Sequence, residues 1–131
     1  MSALYLDSSA FVKIVVNETE TAAVRMYLAR NAVRRVSSAL LRTESLRAVR
    51  HLGPDALATV REGLRRVDLI AIDDRILDSA GILEEQVLRT LDAIHLATAM
   101  AVGDDLDAIV TYDERMVEAA RLLGLSTASP R

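Results

Sequence analysis

The stretch Ala3-Leu4-Tyr5-Leu6-Asp7-Ser8-Ser9-Ala10-Phe11 contains the alternation that decides the fold. Its first four residues predict a short buried strand (residues 3–6), and the amphipathic residues that follow predict a helix over residues 9–16. The same alternation runs through the chain. Further strands are predicted at residues 34–37, 68–72 and 107–111, with a short fifth at 125–127. Further helices are predicted at residues 21–30, 38–52, 55–66, 75–85, 91–102 and 114–123.

Strands that alternate with helices of this length require right-handed crossover connections, and these make a sheet parallel. We therefore expect an α/β fold, a three-layer α/β/α domain with a central parallel sheet of four to five strands. A functional site is expected at the carboxyl edge of that sheet, where strands end and helices begin. Helix N-caps are predicted at four residues and helix ends at two glycines: Ser38, Asp55, Asp74 and Asp113, and Gly53 and Gly124.

Length and composition limit the class of protein. The chain has 131 residues, of which 51% are hydrophobic and 27% charged, and this predicts one globular domain spanning residues 1–131. Cysteine is absent, which excludes a disulfide framework and thiol catalysis and fits a reducing compartment. No run of about 20 apolar residues and no signal peptide is visible. We therefore expect a cytoplasmic protein with no membrane partner.

Several common catalytic motifs are absent from the sequence. The five glycines form neither a GxGxxG fingerprint nor a P-loop, and there is no GxSxG nucleophile elbow. Two histidines, His51 and His95, are too few for a histidine-rich transition-metal site. The candidates that remain are carboxylates.

Four acidic residues occur at positions where a solvated surface carboxylate is not expected. Asp7 and Asp113 each follow a predicted strand, and for each a helix N-cap is an equally good explanation. Glu44 borders the apolar face of its helix, where a surface pair with Arg47 is the simpler interpretation. Asp92 begins the most apolar helix of the chain, where an unpartnered charge is costly.

Taken together, these four acids indicate a metal site. Two of them follow strands at one edge of the sheet, and the other two lie on helices that can converge there. Carboxylates sharing a cleft raise each other's pKa unless a cation neutralises them. Oxygen ligands without cysteine or histidine suit Mg²⁺ or Mn²⁺. Such ions bind phosphodiesters and activate water, which is the chemistry of a nuclease.

The same segments give the sequence a family resemblance. It resembles PIN-domain ribonucleases, specifically the VapC-type toxins of toxin–antitoxin pairs. The matching segments fall in the family's order between residue 3 and about residue 125. They are residues 5–13, the Ser37-Ser38-Ala39 start of the helix that contains Glu44, residues 90–99 and residues 110–116.

The resemblance implies a catalytic and metal-binding tetrad of Asp7, Glu44, Asp92 and Asp113, with Thr111 as an auxiliary hydroxyl. It also implies a Mg²⁺- or Mn²⁺-dependent endoribonuclease that forms a homodimer and acts on RNA. A VapB-type antitoxin would inhibit it by placing its C-terminal segment in the acidic groove. Contact with DNA would be indirect, through that antitoxin.

Two other functions stay open on the sequence alone. A phosphoacceptor signalling domain also places acids at this edge, and Asp73 and Thr111 suit it. It requires a lysine after the fifth strand, however, and Lys13 is the only lysine. A non-catalytic RNA- or protein-binding module is the second alternative. Of the remaining residues, Asp74 is predicted as a cap with Asp73 as its solvated neighbour, and His95 as a hydrogen-bonded core histidine.

The net charge of −3 argues at first against a nucleic-acid partner. If the four proposed metal ligands are left out, the chain has sixteen basic and fifteen acidic residues. The acidic excess therefore lies in the predicted site itself, where bound metal would offset it.

Overall fold

The computed structural model describes residues 2–31, 33–84 and 88–131. Within these residues, five strands form one parallel sheet in the order β3-β2-β1-β4-β5. This confirms the predicted parallel sheet and its α/β class. The strands are β1 (Ala3–Leu6), β2 (Arg34–Ser38), β3 (Asp68–Ile70), β4 (Leu106–Val110) and β5 (Thr127–Ala128).

Helices lie on both faces of the sheet. The α-helices that the structure describes are α1 (Ser8–Val15), α2 (Thr21–Arg30), α3 (Leu40–Val49), α4 (Pro54–Leu64), α5 (Asp74–Gly81), α6 (Thr90–Val102) and α7 (Glu114–Leu122). The predicted helix over residues 38–52 begins later and finishes as a 3-10 turn, Arg50–Leu52. The helix predicted over residues 75–85 ends at Gly81, and its last predicted residue, Glu85, lies outside the described residues.

The central strand β1 has no exposed residue, because both of its faces are covered. Leu4 and Leu6 pack into a cluster with α1, α2, α3 and α4. Ala3 and Tyr5 pack on the opposite face with α6 and α7. Side chains alternate across a strand, so four consecutive residues serve two cores. This arrangement is the predicted three-layer α/β/α architecture.

The register of the sheet brings two strand ends together. Leu6 of β1 pairs with Val110 of β4, and the Asp7 N–H donates to the Val110 carbonyl at 3.2 Å. Asp7 and Thr111 directly follow these two strands and are therefore neighbours at the carboxyl edge of the sheet. The crossover topology places α1 and α7 immediately after them.

The helix caps differ from the predicted ones at several positions. Asp73, not Asp74, caps α5, and its carboxylate accepts from the Ile76 N–H at 3.0 Å. At α4 the N-cap is Gly53, with φ +97°, and Asp55 lies in the first turn after Pro54. Proline favours the first helical position, so the cap moves one residue before it.

The predicted cap at Asp113 is present, with its carboxylate accepting from the Arg115 N–H at 2.9 Å. Ser38 accepts from the Leu40 N–H at 3.1 Å, although Ala39 holds the N-cap position of α3. A cap is chosen by backbone geometry, which composition alone does not specify. Among the helices that the structure describes, none is long and apolar enough to cross a membrane.

Gly63 allows α4 to approach α1 closely. A Cβ at this position would lie 2.6 Å from Cγ1 of Val15 and 3.2 Å from Cζ of Phe11. We expect Gly63→Ala to lower the free energy of unfolding by about 1–3 kcal/mol, because overpacking outweighs the better helix propensity of alanine. Urea denaturation measures the change.

The matched control is Gly81→Ala at the end of α5, where an added Cβ meets nothing within 4 Å. This variant should be neutral or more stable by up to about 1 kcal/mol. Equal unfolding midpoints for the two variants would show that the α1–α4 approach does not require glycine.

Candidate active site

The Asp7 carboxylate lies at the end of the central strand and is only 4% exposed. One oxygen, Oδ1, accepts from the Ser9 hydroxyl at 2.6 Å and from the Ala10 N–H at 3.1 Å. The other, Oδ2, accepts from the Thr111 hydroxyl. Asp7 is thus the N-cap of α1, one of the two roles that the sequence allowed for it. Ser9 supports the carboxylate rather than capping the helix.

Burial raises the pKa of the Asp7 carboxyl, while its three donors act in the opposite direction. Among the described residues, neither lysine nor arginine forms an ion pair with it. A buried carboxylate without a cationic partner is unfavourable for folding. Such groups are concentrated at functional sites, where the missing partner is a ligand.

Asp113 is connected to Asp7 through Thr111. The Asp113 N–H donates to the Thr111 hydroxyl oxygen at 3.1 Å, and that hydroxyl donates to Asp7. Ser9 makes a parallel link, because its oxygen accepts from the Tyr112 N–H at 2.9 Å. Two hydroxyl groups therefore join the ends of β1 and β4. The Asp113 side chain is 27% exposed, and Arg115 lies 3.7 Å from it.

Glu44 belongs to a second polar group, which lies on the face of β1 that packs against α6 and α7. Its Oε1 is bound to His95 Nε2, and His95 Nδ1 is bound to the Tyr5 hydroxyl at 2.6 Å. The surface pair with Arg47 that the sequence favoured does not form; Glu44 pairs with His95 instead. His95 is a hydrogen-bonded core histidine, as predicted, with 2% exposure.

Asp92 lies in the first turn of α6 and is half-buried. Thr90 is the first residue of α6, and Arg89 at the N-cap position makes no side-chain cap bond. Asp92 makes no hydrogen bond or ion pair with any residue that the structure describes. Its charge is favoured only by the helix dipole.

The donor chemistry of these residues fits a hard divalent cation. The candidates are all carboxylates, which suit Mg²⁺ and Mn²⁺, and no lysine or arginine among the described residues pairs with the buried Asp7. Asp92 and Glu44 Oε2 have no hydrogen-bond partner within the described residues. In the same part of the chain, no three His, Asp or Glu side chains lie close enough to hold an ion as they stand.

Sequence reasoning missed the supporting residues of this site. Ser9, Tyr5 and His95 each contact one of the proposed ligands or a neighbour of one. Ser9 lies two residues after Asp7, which is a visible signal. Tyr5 and His95 lie within apolar stretches, and nothing local distinguishes them from core residues.

A separate groove lies between α1, α2 and α4, with a volume of about 550 Å³. Its floor is apolar and includes Phe11, Ile14 and Leu28. Arg25 and Arg66 line its exposed part. The groove combines apolar burial with positive charge at its rim.

Comparisons with known proteins agree with the fold. The family model of the PIN domain matches residues 4–122. The chain is 51% identical over 130 residues to Ribonuclease VapC46 of Mycobacterium tuberculosis, covering 99% of both proteins. It is 42% identical to Ribonuclease VapC35 of the same species, covering 97% of this chain and 96% of that protein.

Two solved structures share the fold at 14% identity. One is M. tuberculosis VapC20, described as a toxin that cleaves the sarcin-ricin loop, with a TM-score of 0.77 over 97% of this chain and 99% of that one. The other is a chain of VapBC2 from Rickettsia felis bound to a promoter DNA fragment, with a TM-score of 0.68 over 98% and 99%. Family model, relatives and fold agree: this chain belongs to the PIN-domain family, among its VapC proteins.

Proposed function

We propose that this protein is a Mg²⁺- or Mn²⁺-dependent endoribonuclease, the toxin of a VapBC toxin–antitoxin pair. The observation that supports this most strongly is the Asp7 carboxylate, which is buried where β1 and β4 end and has no cationic partner among the described residues. Structural acids of this kind are normally paired. The relatives named as ribonucleases support an RNA substrate.

Asp7, Glu44, Asp92 and Asp113 would hold the metal. A divalent ion bound there supplies Lewis acidity, which offsets phosphodiester charge and makes water a better nucleophile at neutral pH. Attack by water in line with the leaving oxygen yields a 5′-phosphate and a 3′-hydroxyl.

The chain's own residues prepare the site for this reaction. Ser9 and Thr111 each hold one oxygen of Asp7, so its carboxylate cannot rotate freely. The Asp113 backbone is fixed through the same Thr111 hydroxyl. A rigid arrangement of this kind reduces the reorganisation needed when substrate binds. A carboxylate that is not occupied by metal can accept the proton that the attacking water releases.

The proposal includes an antitoxin partner and a homodimer. The VapBC2 complex among the structures of the same fold supports the antitoxin. The antitoxin's C-terminal segment would enter the acidic site, as the family resemblance implies. The groove between α1, α2 and α4, with an apolar floor and with Arg25, Arg66 and Glu62 at its rim, suits a further amphipathic segment of that partner. Co-expression with a candidate antitoxin encoded beside its gene tests this part: the two proteins should co-purify, and RNA cleavage should be lost.

Asp7→Asn should abolish RNA cleavage. The variant retains an N-cap residue for α1 but removes the charge that would bind metal. We expect a loss of at least about 100-fold, since even the outer partners of metal ligands typically cost 10–100-fold. The measurement is cleavage of RNA by the purified protein with Mg²⁺ or Mn²⁺, with sequencing of the product ends.

Asp73→Asn is the matched control, because Asp73 also follows a strand and caps a helix but lies exposed at β3. It should cut RNA at the wild-type rate. Cleavage that persists in Asp7→Asn would contradict the assignment of Asp7. A wild-type protein that binds RNA with metal but never cuts it would support a non-catalytic module instead.

Asp7→Asn should also stabilise the metal-free protein at neutral pH. Burial raises the pKa of the Asp7 carboxyl, so the folded state favours its protonated form. The wild type therefore loses stability as the pH rises through that raised pKa, and the asparagine variant does not. The difference in melting temperature between variant and wild type should grow between about pH 4 and about pH 7.

Adding Mg²⁺ or Mn²⁺ at neutral pH should reverse this order, because a ligand stabilises only the form that binds it. The prediction fails if the difference in melting temperature is the same at both pH values in metal-free buffer. Asp73→Asn again provides the comparison for a cap residue that is exposed.

A further inference from the structure

We infer that His95, held by Tyr5, is a positioning residue that orients Glu44 for metal binding. This inference rests on the proposed function, because it assumes that Glu44 is a metal ligand. It assigns to a core histidine a role in the site that neither its sequence position nor its burial indicates.

The contacts connect three elements around the end of the central strand. Tyr5 comes from β1, Glu44 from α3 and His95 from α6. Both ring nitrogens of His95 are used, one by the Tyr5 hydroxyl at 2.6 Å and the other by Glu44 Oε1. The Tyr5 and His95 rings meet edge to face, with an interplanar angle of 82°. The imidazole therefore has one orientation, set from both ends.

The direction of these hydrogen bonds follows from the partners. A carboxylate can only accept, so the Nε2–H of His95 donates to Glu44 Oε1. In the neutral ring the other nitrogen, Nδ1, is an acceptor, and the Tyr5 hydroxyl donates to it. A histidine held in one tautomer by a second group commonly fixes the ligands around a metal in this way.

A buried Tyr5–His95 pair is energetically less favourable than apolar side chains if its role is core packing alone. Tyr5 and His95 are 1% and 2% exposed and lie among apolar residues of β1 and α6. Apolar side chains of similar volume would fill this space without polar atoms that need partners. The polar pair ends at Glu44, which keeps 22% exposure and whose Oε2 has no hydrogen bond within the described residues. The proposed ligand is thus held by one oxygen and open at the other.

The Tyr5–His95 pair also lies close to the Asp7 carboxylate. The Tyr5 phenol interacts electrostatically with both Asp7 and Glu44, and His95 interacts with Asp7. One buried pair therefore lies within range of two proposed ligands from different elements. Orientation of Glu44 relative to Asp7 is the property that this geometry controls.

The test measures Mn²⁺ binding to the purified chain by electron paramagnetic resonance titration, together with melting temperature. In His95→Asn the amide reaches only as far as Nδ1 does, so the bond to Glu44 is lost. In His95→Gln the amide nitrogen reaches the position of Nε2 and can still donate to Glu44. We expect His95→Asn to weaken Mn²⁺ binding about 10–100-fold and His95→Gln to restore most of it.

Tyr5→Phe removes a single oxygen and keeps both the ring and His95. It should weaken Mn²⁺ binding in the same direction by a smaller factor, because the imidazole loses the partner that fixes its tautomer. Thr98→Val is the matched control on α6, since the buried Thr98 hydroxyl bonds only to the Ile94 carbonyl of its own helix at 2.6 Å. It should bind Mn²⁺ as the wild type does.

The outcomes separate this inference from the function on which it rests. If the wild type binds no Mn²⁺, or binds it as tightly when Asp7 is replaced by Asn, the proposed metal site itself is wrong. If Asp7→Asn abolishes binding but His95→Asn and Tyr5→Phe bind as the wild type does, the site stands and the role of His95 is overturned. Should His95→Asn fail to fold, Tyr5→Phe decides the matter alone. Lowered melting temperatures with unchanged Mn²⁺ affinity would mean that the pair serves packing only.

Discussion

A carboxyl group buried at the end of the central strand constrains the rest of this structure. Asp7 cannot be solvated where it lies, so the fold must supply donors within hydrogen-bond reach. It does so from two directions, with the first turn of α1 on one side and Thr111 at the end of β4 on the other. The β1–β4 register and the entry into α1 are therefore tied to one side chain.

These donors only partly compensate for the burial of the Asp7 carboxyl. The uncompensated part of that cost is what the proposed function would use. Three hydrogen bonds hold the Asp7 carboxylate in place, yet burial still raises its pKa. A bound cation would offset the charge of Asp7. The other proposed ligands lie on elements that begin or end at the same edge of the sheet. Under the proposed function, stability would be given up at Asp7 for a site that a divalent metal completes.

The last residues of the central strand lead to two polar groups. Its last residues send Leu6 into one core and Tyr5 into the other, and Asp7 follows at the edge. The Tyr5–His95–Glu44 line therefore runs along the face opposite to α1. Strand β1 therefore positions Asp7, a proposed ligand, and also Tyr5, which supports the proposed ligand Glu44 through His95.

Local patterns were sufficient for the elements of the fold but not for their finer details. Strand β1 and helix α2 have the predicted bounds, since apolar runs and amphipathic periodicity identify such segments directly. The caps differ by one or two residues, as at Asp73 and Gly53. Several neighbouring residues can cap a helix, and only the dihedral angles of the entering chain select one.

The amino-acid sequence by itself determined the α/β alternation, the four candidate acids and the family resemblance, because each depends on residue types at short spacings. Only the tertiary structure decided the partners of those acids. Glu44 pairs with a histidine 51 positions away rather than with Arg47 one turn along its own helix. The packing of α3 and α6 against β2 and the adjoining β1 brings these side chains together, and no local pattern encodes that proximity.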